Sequence, residues 1–427
     1  MQTKKAYVED LRNIVGAGNV REAVAEDSID GVEASFVVEP GSTEEISQAM
    51  KLASAEGLTV SVRGGGTKTA LGAPPKSVDV VLSMARMDEI IEHVPGDQIV
   101  RVQAGVKLED LQNKLAEANQ MLALDPPEQS AGATLGGIVA ANSSGPRRLK
   151  YGTVRDIIIG VTVVLADGTI AKAGGKVVKN VAGYDLGKLF TGSLGTLGVI
   201  ATANFRLHPR PETARTVAVE VASPLAAAEA AQAIVHSQVE ATAVELHWSE
   251  GAKLVSVLLE SIPGGIDAKE EAATFLLKPF GEVHTLTDEE GQNLGPLQSP
   301  ASTTGAGDEV SLKITAPPAD LASVLDSVID AAERKSVTAR MTGHAGTGVT
   351  YAGLSGEEAA IVEVVEEVRG IRVRSGGGLV VISAPVSVKE KVDVWGPAGD
   401  YLGLTRRVKE KFDPGYIMNP GRFIGGI

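Results

Sequence analysis

The sequence predicts an α+β protein built in two parts. Three observations carry that reading. A chain of 427 residues is too long for one ordinary hydrophobic core. Its opening runs strand, helix, strand and glycine loop, a βαβ unit with the loop at the C-terminal end of a strand. Past residue 211 two successive βαββαβ-like runs follow, which suggests a second, smaller α+β domain with an antiparallel sheet.

Taken in order, Tyr7 to Val15 reads as a short helix ended by Gly16 and Gly18. Phe36 to Val38 is strand-like and is closed by Pro40-Gly41. Ser42 or Thr43 then caps a helix with Glu44 and Glu45 in its first turn. Ile46, Met50 and Ala53 follow at helical spacing, and Gly57 ends it. Leu58 to Val62 is the strand that delivers the loop. Val78 to Ser83 and Ile99 to Ala104 are further strands, and Leu108 to Ala118 is an amphipathic helix. Val161 to Leu165 and Thr169 to Ala173 flank Asp167-Gly168, which predicts a hairpin with a two-residue turn.

His208-Pro209-Arg210-Pro211 marks a boundary. Beyond it, strands are expected at Thr216–Val221, Ala243–Trp248 and Leu254–Glu260, with helices at Pro224–His236 and Ala268–Leu277. A polar link from Glu282 to Asp308 precedes the second run. That run has strands at Val310–Thr315, Val337–Met341, Gly348–Ala352 and Gly378–Ser383, and helices at Asp320–Arg334 and Glu357–Val368. A helix from Leu404 to Lys411 leads into a turn-rich ending.

Composition narrows the function. With 43% hydrophobic and 22% charged residues the chain reads as globular and soluble. A formal net charge of -14 argues against a general nucleic-acid binder, because phosphate contacts need a basic surface. The absence of Cys removes disulfides, thiolate nucleophiles and Cys-ligated zinc or iron–sulfur clusters from this chain, and a reducing cytoplasm fits. Met1 to Asp10 is mixed and polar, so no signal peptide is expected. No apolar run approaches the ~18 residues of a transmembrane helix.

Three glycine-rich blocks carry the chemistry. In Arg63-Gly64-Gly65-Gly66-Thr67-Lys68 the backbone can adopt positive φ and turn successive N–H groups toward an anion such as a phosphate, and Arg63 adds a positive charge. Asp125 to Gly145 is nearly uncharged and dense in small and hydroxyl residues, which lets a flat ring approach the main chain. Gly192, Gly195 and Gly198 recur every three residues. This third block does not follow a strand and open a helix as GxGxxG, so it is not read as a nicotinamide-dinucleotide fingerprint.

The order of these pieces resembles the FAD-binding oxidoreductases of the vanillyl-alcohol oxidase type. The residues that carry the likeness are Pro40 to Glu45, Arg63 to Thr67, Thr134 to Gly137 with Asn142 and Gly145, Tyr151-Gly152 with Arg155-Asp156, Gly192 to Gly198, and Asn419 to Phe423. Within the family the likeness is strongest to the FAD-binding subunits of glycolate oxidase, through Trp395-Gly396-Pro397 and Leu404 to Arg407 before the Asn419-Pro420-Gly421-Arg422-Phe423 ending. The resemblance implies a PCMH-type FAD-binding domain of two α+β subdomains over residues 1–211. A ferredoxin-like cap would span 212–400, and a tail, 401–427, would return to the FAD domain.

It also implies the site. Residues 63 to 67 would hold the pyrophosphate of FAD through backbone N–H groups. Pro126, Thr134, Gly136, Gly137, Asn142, Gly145 and Gly152 would line pyrophosphate and flavin; Gly198, Val199 and Ile200 would bound the adenine side, and Asn419 would close the site. Covalently flavinylated members carry His where this chain has Thr67, so non-covalent FAD is expected. The D-2-hydroxyacid dehydrogenases of the family that act as one polypeptide carry His-x-Gly-Asp-Gly-Asn-x-His in the cap, which supplies metal or substrate ligands. The matching stretch here is His344 to Tyr351, with Thr347, Val349 and Tyr351 in the other polar positions, so no metal is expected. The family's Gly-Ser-Glu-Gly also reads Gly192-Ser193-Leu194-Gly195.

Two activities remain open from the sequence. In one, the chain is the FAD-bearing subunit of a complex oxidising glycolate to glyoxylate, with a sister flavin subunit and an iron–sulfur subunit. Such a subunit would be cytoplasmic or peripheral at the inner membrane through those partners. In the other, it is a stand-alone D-2-hydroxyacid dehydrogenase, for D-lactate for example, with His344, Tyr351, Arg340, Arg372 and Arg374 as candidate groups; Arg suits a carboxylate through its planar fork. A non-catalytic scaffold that has lost its flavin is a third reading, against which the retained glycine loops stand.

Overall fold

The computed structural model describes residues 2–175, 184–287 and 309–427, with side chains from residue 7 onward. Lys179 to Gly183 and most of the Glu282–Asp308 link lie outside the described residues. All counts below are of the described residues.

The first sheet contains β1 (Val20–Glu22), β2 (Ala34–Val38), β3 (Val60–Arg63) and β4 (Val78–Ser83), in the order β1-β2-β4-β3. The helix Thr43–Glu56 links β2 to β3 and starts where local chemistry demands. Ser42 Oγ accepts the Glu45 N–H at 3.1 Å, and the Glu45 carboxylate accepts the Gly41 N–H at 2.7 Å. Gly57 ends it at φ 66. Its buried stripe of Ile46, Ala49, Met50 and Ala53 packs into the core. β2 and β3 run parallel as the βαβ reading expects, yet they are not neighbours. β4 lies between and pairs parallel with both.

Downstream come β5 (Ile90–Val94), β6 (Ile99–Gln103), the two-residue β7 (Gln120–Met121), β8 (Ile158–Val164), β9 (Ile170–Gly174), β10 (Val199–Arg206) and the two-residue β11 (His208–Pro209). β7 pairs with β11, and the others form an antiparallel sheet, β5-β6-β10-β8-β9. The β8–β9 turn is one residue longer than expected. The Leu165 N–H donates to Thr169 O, leaving a loop of Ala166, Asp167 and Gly168, with Gly168 at φ 80. That is the three-residue hairpin with a left-handed third position.

The third sheet has eight antiparallel strands: β12 (Thr213–Glu220), β13 (Ala243–Ser249), β14 (Ala252–Ser261), β15 (Val283–Leu286), β16 (Val310–Thr315), β17 (Thr338–His344), β18 (Val349–Ser355) and β19 (Gly378–Ser383). Their order is β15-β12-β14-β13-β17-β18-β16-β19. Each half is a βαββαβ unit, and the halves join edge to edge where β13 pairs with β17. β15 falls inside the stretch expected to be a polar link. It pairs with β12 and completes the first unit. The helices Pro224–Val235, Pro263–Leu277, Leu321–Arg334 and Glu358–Arg374 cover one face, burying residues such as Val217, Leu246, Val255, Leu312 and Val381.

The chain ends back on the first core. The Val60 N–H donates to Ile417 O at 2.8 Å and the Asn419 N–H to Val60 O at 2.9 Å, so the tail extends the edge at β3. The fully buried Lys409 supports this return. Its ammonium donates to Asp413 Oδ2 at 2.6 Å, and to Thr196 O and Met418 O at 2.8 Å each. Three acceptors meet three donors, which is what a buried ammonium needs.

Candidate cofactor and substrate site

Three glycine-bearing segments and the tail converge. Gly64 to Lys68 leaves β3. Gly132 to Ala141 opens the short helix Leu135–Ala141, and Leu194 to Gly198 precedes β10. Together with Asn419 and Arg422 they line a cleft of about 930 Å³, counting its space open to solvent.

The glycines of the first loop have reasons of different kinds. A Cβ on Gly64 would stand 2.1 Å from Thr134 Oγ1, and one on Gly65 would stand 2.0 Å from Gly132 O. These two are small because the loop lies against the second block. Gly66 is needed for its φ of 77. In the second block, a Cβ on Gly136 would meet Ala104 at 2.7 Å, and the Gly136 N–H donates to Ala104 O. The loops therefore touch at their backs and leave the cleft between their fronts.

The cleft leaves polar atoms unpaired. Thr134 Oγ1 and Asn419 Oδ1 are buried without a protein hydrogen-bond partner, and so is Asn142 Oδ1 at its edge. Asn419 is fixed by donating its Nδ2 to Leu194 O at 2.7 Å, which leaves Oδ1 as a free acceptor. Buried polar atoms are nearly always satisfied, so several around one cleft mark where a polar ligand lies. FAD has the hydroxyls and ring N–H to meet these acceptors, and the residues present fit it.

The cations bordering the cleft are already engaged. The Arg63 guanidinium donates to Asp27 Oδ1 at 2.7 Å, so the positive charge expected beside the glycines is matched within the protein. Asp27 is also bound by Arg21, and the hydrogen bonds from Arg21, the Val24 N–H and Arg63 hold its carboxyl well below the usual carboxylate range against the opposing effect of burial. The Lys68 ammonium pairs with the buried Glu128, which also accepts from Ser143 Oγ at 3.4 Å. Arg422 donates to Thr69 O and Leu71 O.

A second chamber of about 730 Å³, again counting space open to solvent, adjoins the cleft and shares Lys68, Leu71, Ala141 and Leu194 as common walls. Its far side is the face of the third sheet turned away from those four helices. Val310, Leu312 and Ile314 of β16 face the helices, so Lys313 faces the chamber, level with Tyr351 on β18 and Val380 on β19. Trp395 closes one end, its indole N–H held by Arg422 O at 2.9 Å. Burial pulls the Lys313 ammonium down to about 8, helped by the nearby positive charges of Arg148 and Lys68.

The structure sorts the residues singled out from sequence. Arg63 to Thr67, Thr134, Gly136, Gly137, Gly198, Ile200 and Asn419 line the cleft, and Asn142 lines the chamber. Pro126, Gly145, Gly152 and Val199 line neither. Gly145 is small because a Cβ would meet Asp125 O at 1.9 Å, and Gly152 because of its φ of 82. Tyr351 lines the chamber, its hydroxyl pushed up chiefly by burial. His344 lies behind it, with ring centroids 5.6 Å apart, and its Nδ1 is held by Glu245 at 2.9 Å. Arg340 is on the surface in a two-pronged pair with Glu309, Arg372 is buried against Ser323, and Arg374 is exposed. None of the three lines the cleft or the chamber. Sequence reasoning did not single out Lys313 or Glu128, and it quoted Lys68 only as the end of the first glycine loop. A lysine inside the apolar alternation of β16 was the available signal.

Comparison with known proteins agrees with this geometry. A family model described as an FAD binding domain matches residues 34–174. The D-lactate dehydrogenase of Archaeoglobus fulgidus is 30% identical over 417 residues, covering 91% of each chain. The glycolate oxidase subunit GlcD of Bacillus subtilis is 28% identical over 425 residues, 90% of this chain and 88% of the relative. The glycolate oxidase subunit GlcE of Escherichia coli is 34% identical over 171 residues, 40% of this chain and 48% of that one. Among solved structures, p-cresol methylhydroxylase with substrate bound superposes with a TM-score of 0.75 at 16% identity, covering 97% of this chain and 95% of that chain, so the two share a PCMH-type fold. The cleft lined by glycine loops, its unpaired acceptors and these likenesses lead to one conclusion: the chain belongs to the FAD-linked oxidoreductases that include the D-lactate dehydrogenase and glycolate oxidase subunit named above, and its cofactor is FAD.

Proposed function

We propose that this chain is the FAD-bearing subunit of a multi-chain 2-hydroxyacid dehydrogenase, oxidising a small substrate such as glycolate to glyoxylate. The observation that carries the reading is the continuity of cleft and chamber through Lys68, Leu71, Ala141 and Leu194. It gives a small molecule a sheltered seat beside the cofactor. Bound FAD supplies the acceptor for the two electrons of a C–H bond. The protein's own share is positioning. Backbone N–H groups of residues 63–67 would meet the pyrophosphate, Thr134 and Asn419 in the cleft and Asn142 at its border with the chamber would fix the cofactor's polar edges, and the sheet of the cap would exclude water from the chamber. On this reading residues 1–211 form the FAD domain, 212–400 the cap and 401–427 the returning tail, with FAD held without a covalent bond.

The partners follow from chemistry. With no Cys in the chain, an iron–sulfur centre that drains the flavin must sit on another subunit. The likeness to two differently named glycolate oxidase subunits supports a sister flavin chain. Among the described residues no helix is long and apolar enough to cross a membrane. On this reading the protein works in the cytoplasm, and its association with a membrane runs through its partners. The alternative, a stand-alone D-2-hydroxyacid dehydrogenase, is favoured by the full-length likeness to a D-lactate dehydrogenase.

Anaerobic mixing with glycolate or D-lactate separates these. Bleaching of the flavin band by the isolated chain supports the stand-alone enzyme. Bleaching that appears only when the untagged chain is purified with two further subunits supports the complex, and no bleaching in either preparation rejects both. Acid denaturation and gel filtration test the cofactor linkage: colour that stays with the protein rejects non-covalent FAD.

A further inference from the structure

Lys313 stands out in the second chamber. It sits mid-strand on β16, between Tyr351 and Val380, on the face turned away from the helices. Among the described residues its ammonium has neither a hydrogen bond nor an ion pair. The charges that bear on it, Arg148 and Lys68, are positive like itself. Lys68 also faces the chamber but is neutralised by Glu128. An ammonium held in a partly buried chamber without a protein acceptor is costly, and this one shares the wall with two buried unpaired polar atoms, Asn142 Oδ1 and Ser144 Oγ. The rest of the wall is mixed: Leu71, Tyr351 and Ile382 belong to one apolar cluster, and Ser143 and the Tyr351 hydroxyl add polar groups.

We propose that Lys313 is the carboxylate anchor of this chamber and that it selects small monocarboxylates. A carboxylate supplies the charge-assisted acceptors that the ammonium lacks. One unmatched cation facing the chamber matches one carboxylate. The other lysine on the wall, Lys68, is already paired with Glu128, so a second carboxylate would find no free lysine there and dicarboxylates are disfavoured. With its carboxylate on Lys313, the substrate's hydroxyl-bearing carbon lies toward Ala141 and Leu194, where chamber and cleft meet. The inference rests on the reading of the chamber as the 2-hydroxyacid site and adds the residue and the selectivity.

The test uses the FAD-loaded protein and 2-hydroxyisobutyrate, a monocarboxylate with no α-hydrogen to lose. Binding is read as a perturbation of the flavin absorbance, with malonate as the dicarboxylate comparison. Expected are saturable binding of 2-hydroxyisobutyrate, weaker binding of malonate, and loss of affinity as the pH rises through the lysine's range near 8. Lys313→Met should weaken binding at least ~10-fold, the scale of one lost charge-assisted hydrogen bond, and Lys313→Arg should restore most of it. Equal binding by wild type and Lys313→Met overturns the proposal, as does tighter malonate binding or a wild type that binds neither anion. If Lys313→Met does not retain FAD, the wild-type pH profile decides: affinity flat from about pH 6 to about pH 11, past even the ordinary lysine value of about 10.4, overturns the anchor. The two readings fail separately. Lys313-dependent anion binding without bleaching by any 2-hydroxyacid defeats the proposed activity and leaves the anchor standing. Bleaching with unaltered binding and KM in Lys313→Met does the reverse.

Discussion

Arg147 grips Glu260 across the junction between the second glycine block and the third sheet. Its Nε and Nη2 donate to Glu260 Oε1 at 3.2 and 2.6 Å, while the Tyr151 hydroxyl donates to Oε2 at 3.4 Å. The Glu260 side chain is 1% exposed. The Arg147 N–H is in turn fixed by Asp125 Oδ2 at 3.0 Å, so the segment beside the FAD cleft is bolted to the cap.

Arg147→Met leaves the buried Glu260 carboxylate without its cation. Removing one partner of a buried pair is far costlier than removing both, and about 3 kcal/mol of stability should be lost. A urea titration checks this. Arg147→Met combined with Glu260→Gln should recover part of the loss, and a single variant as stable as wild type contradicts the role assigned to the pair.

Gly65→Ala places a Cβ 2.0 Å from Gly132 O, where only backbone can yield. The first loop must then move off the second block, so the variant should retain less FAD per chain and melt lower. Gly18→Ala is the control, since a Cβ there has no atom within 4 Å. The flavin-to-protein absorbance ratio reads the first effect and thermal unfolding the second.

Asn419→Ala removes the side chain that ties the tail to Leu194 O and leaves an acceptor facing the cleft. The Asn419 φ of 46 suits Asn better than Ala. FAD affinity should fall about 10-fold, consistent with one lost hydrogen bond plus strain. Wild type with FAD at 100 times its Kd should gain about 2.7 kcal/mol over the apoprotein, and the variant less at the same FAD concentration.

Asp27 gives a pH signature. Its folded carboxyl is held below the ordinary value, so the folded state binds fewer protons than the unfolded state at acid pH. Its contribution is complete above the unfolded pKa of about 3.9 and is lost as the pH falls below that value toward the depressed folded one. Asp27→Asn should be less stable at neutral pH and show a shallower acid decline. Parallel acid-unfolding curves for the two proteins would contradict this.

Much of the framework was legible because its causes are local. The helix Thr43–Glu56 begins and ends where Ser42, Glu45 and Gly57 require. Apart from β15, the elements of the two βαββαβ units could be read from alternation and turn residues. β15 was missed because an exposed edge strand with only four residues has little apolar pattern. The hairpin loop was one residue too short because Asp-Gly suits both turns and register selects between them. At the site, Gly64 and Gly65 were recognised as special, but half of the reason lay elsewhere, in Thr134 and Gly132. Arg340 looked like a substrate group until its partner, Glu309, came into view.

The sequence alone determined the element types, the glycine-bearing loops and the family resemblance, because caps, periodicity and backbone freedom are properties of neighbouring residues. Tertiary structure decided the rest: β4 between β2 and β3, the tail beside β3, Glu245 opposite His344, and Lys313 unpaired in a chamber bordered by loops far from it in the chain. The charges of Arg63, Lys68 and Arg147 are matched by residues 36, 60 and 113 positions away, which only the folded protein brings within hydrogen-bond reach.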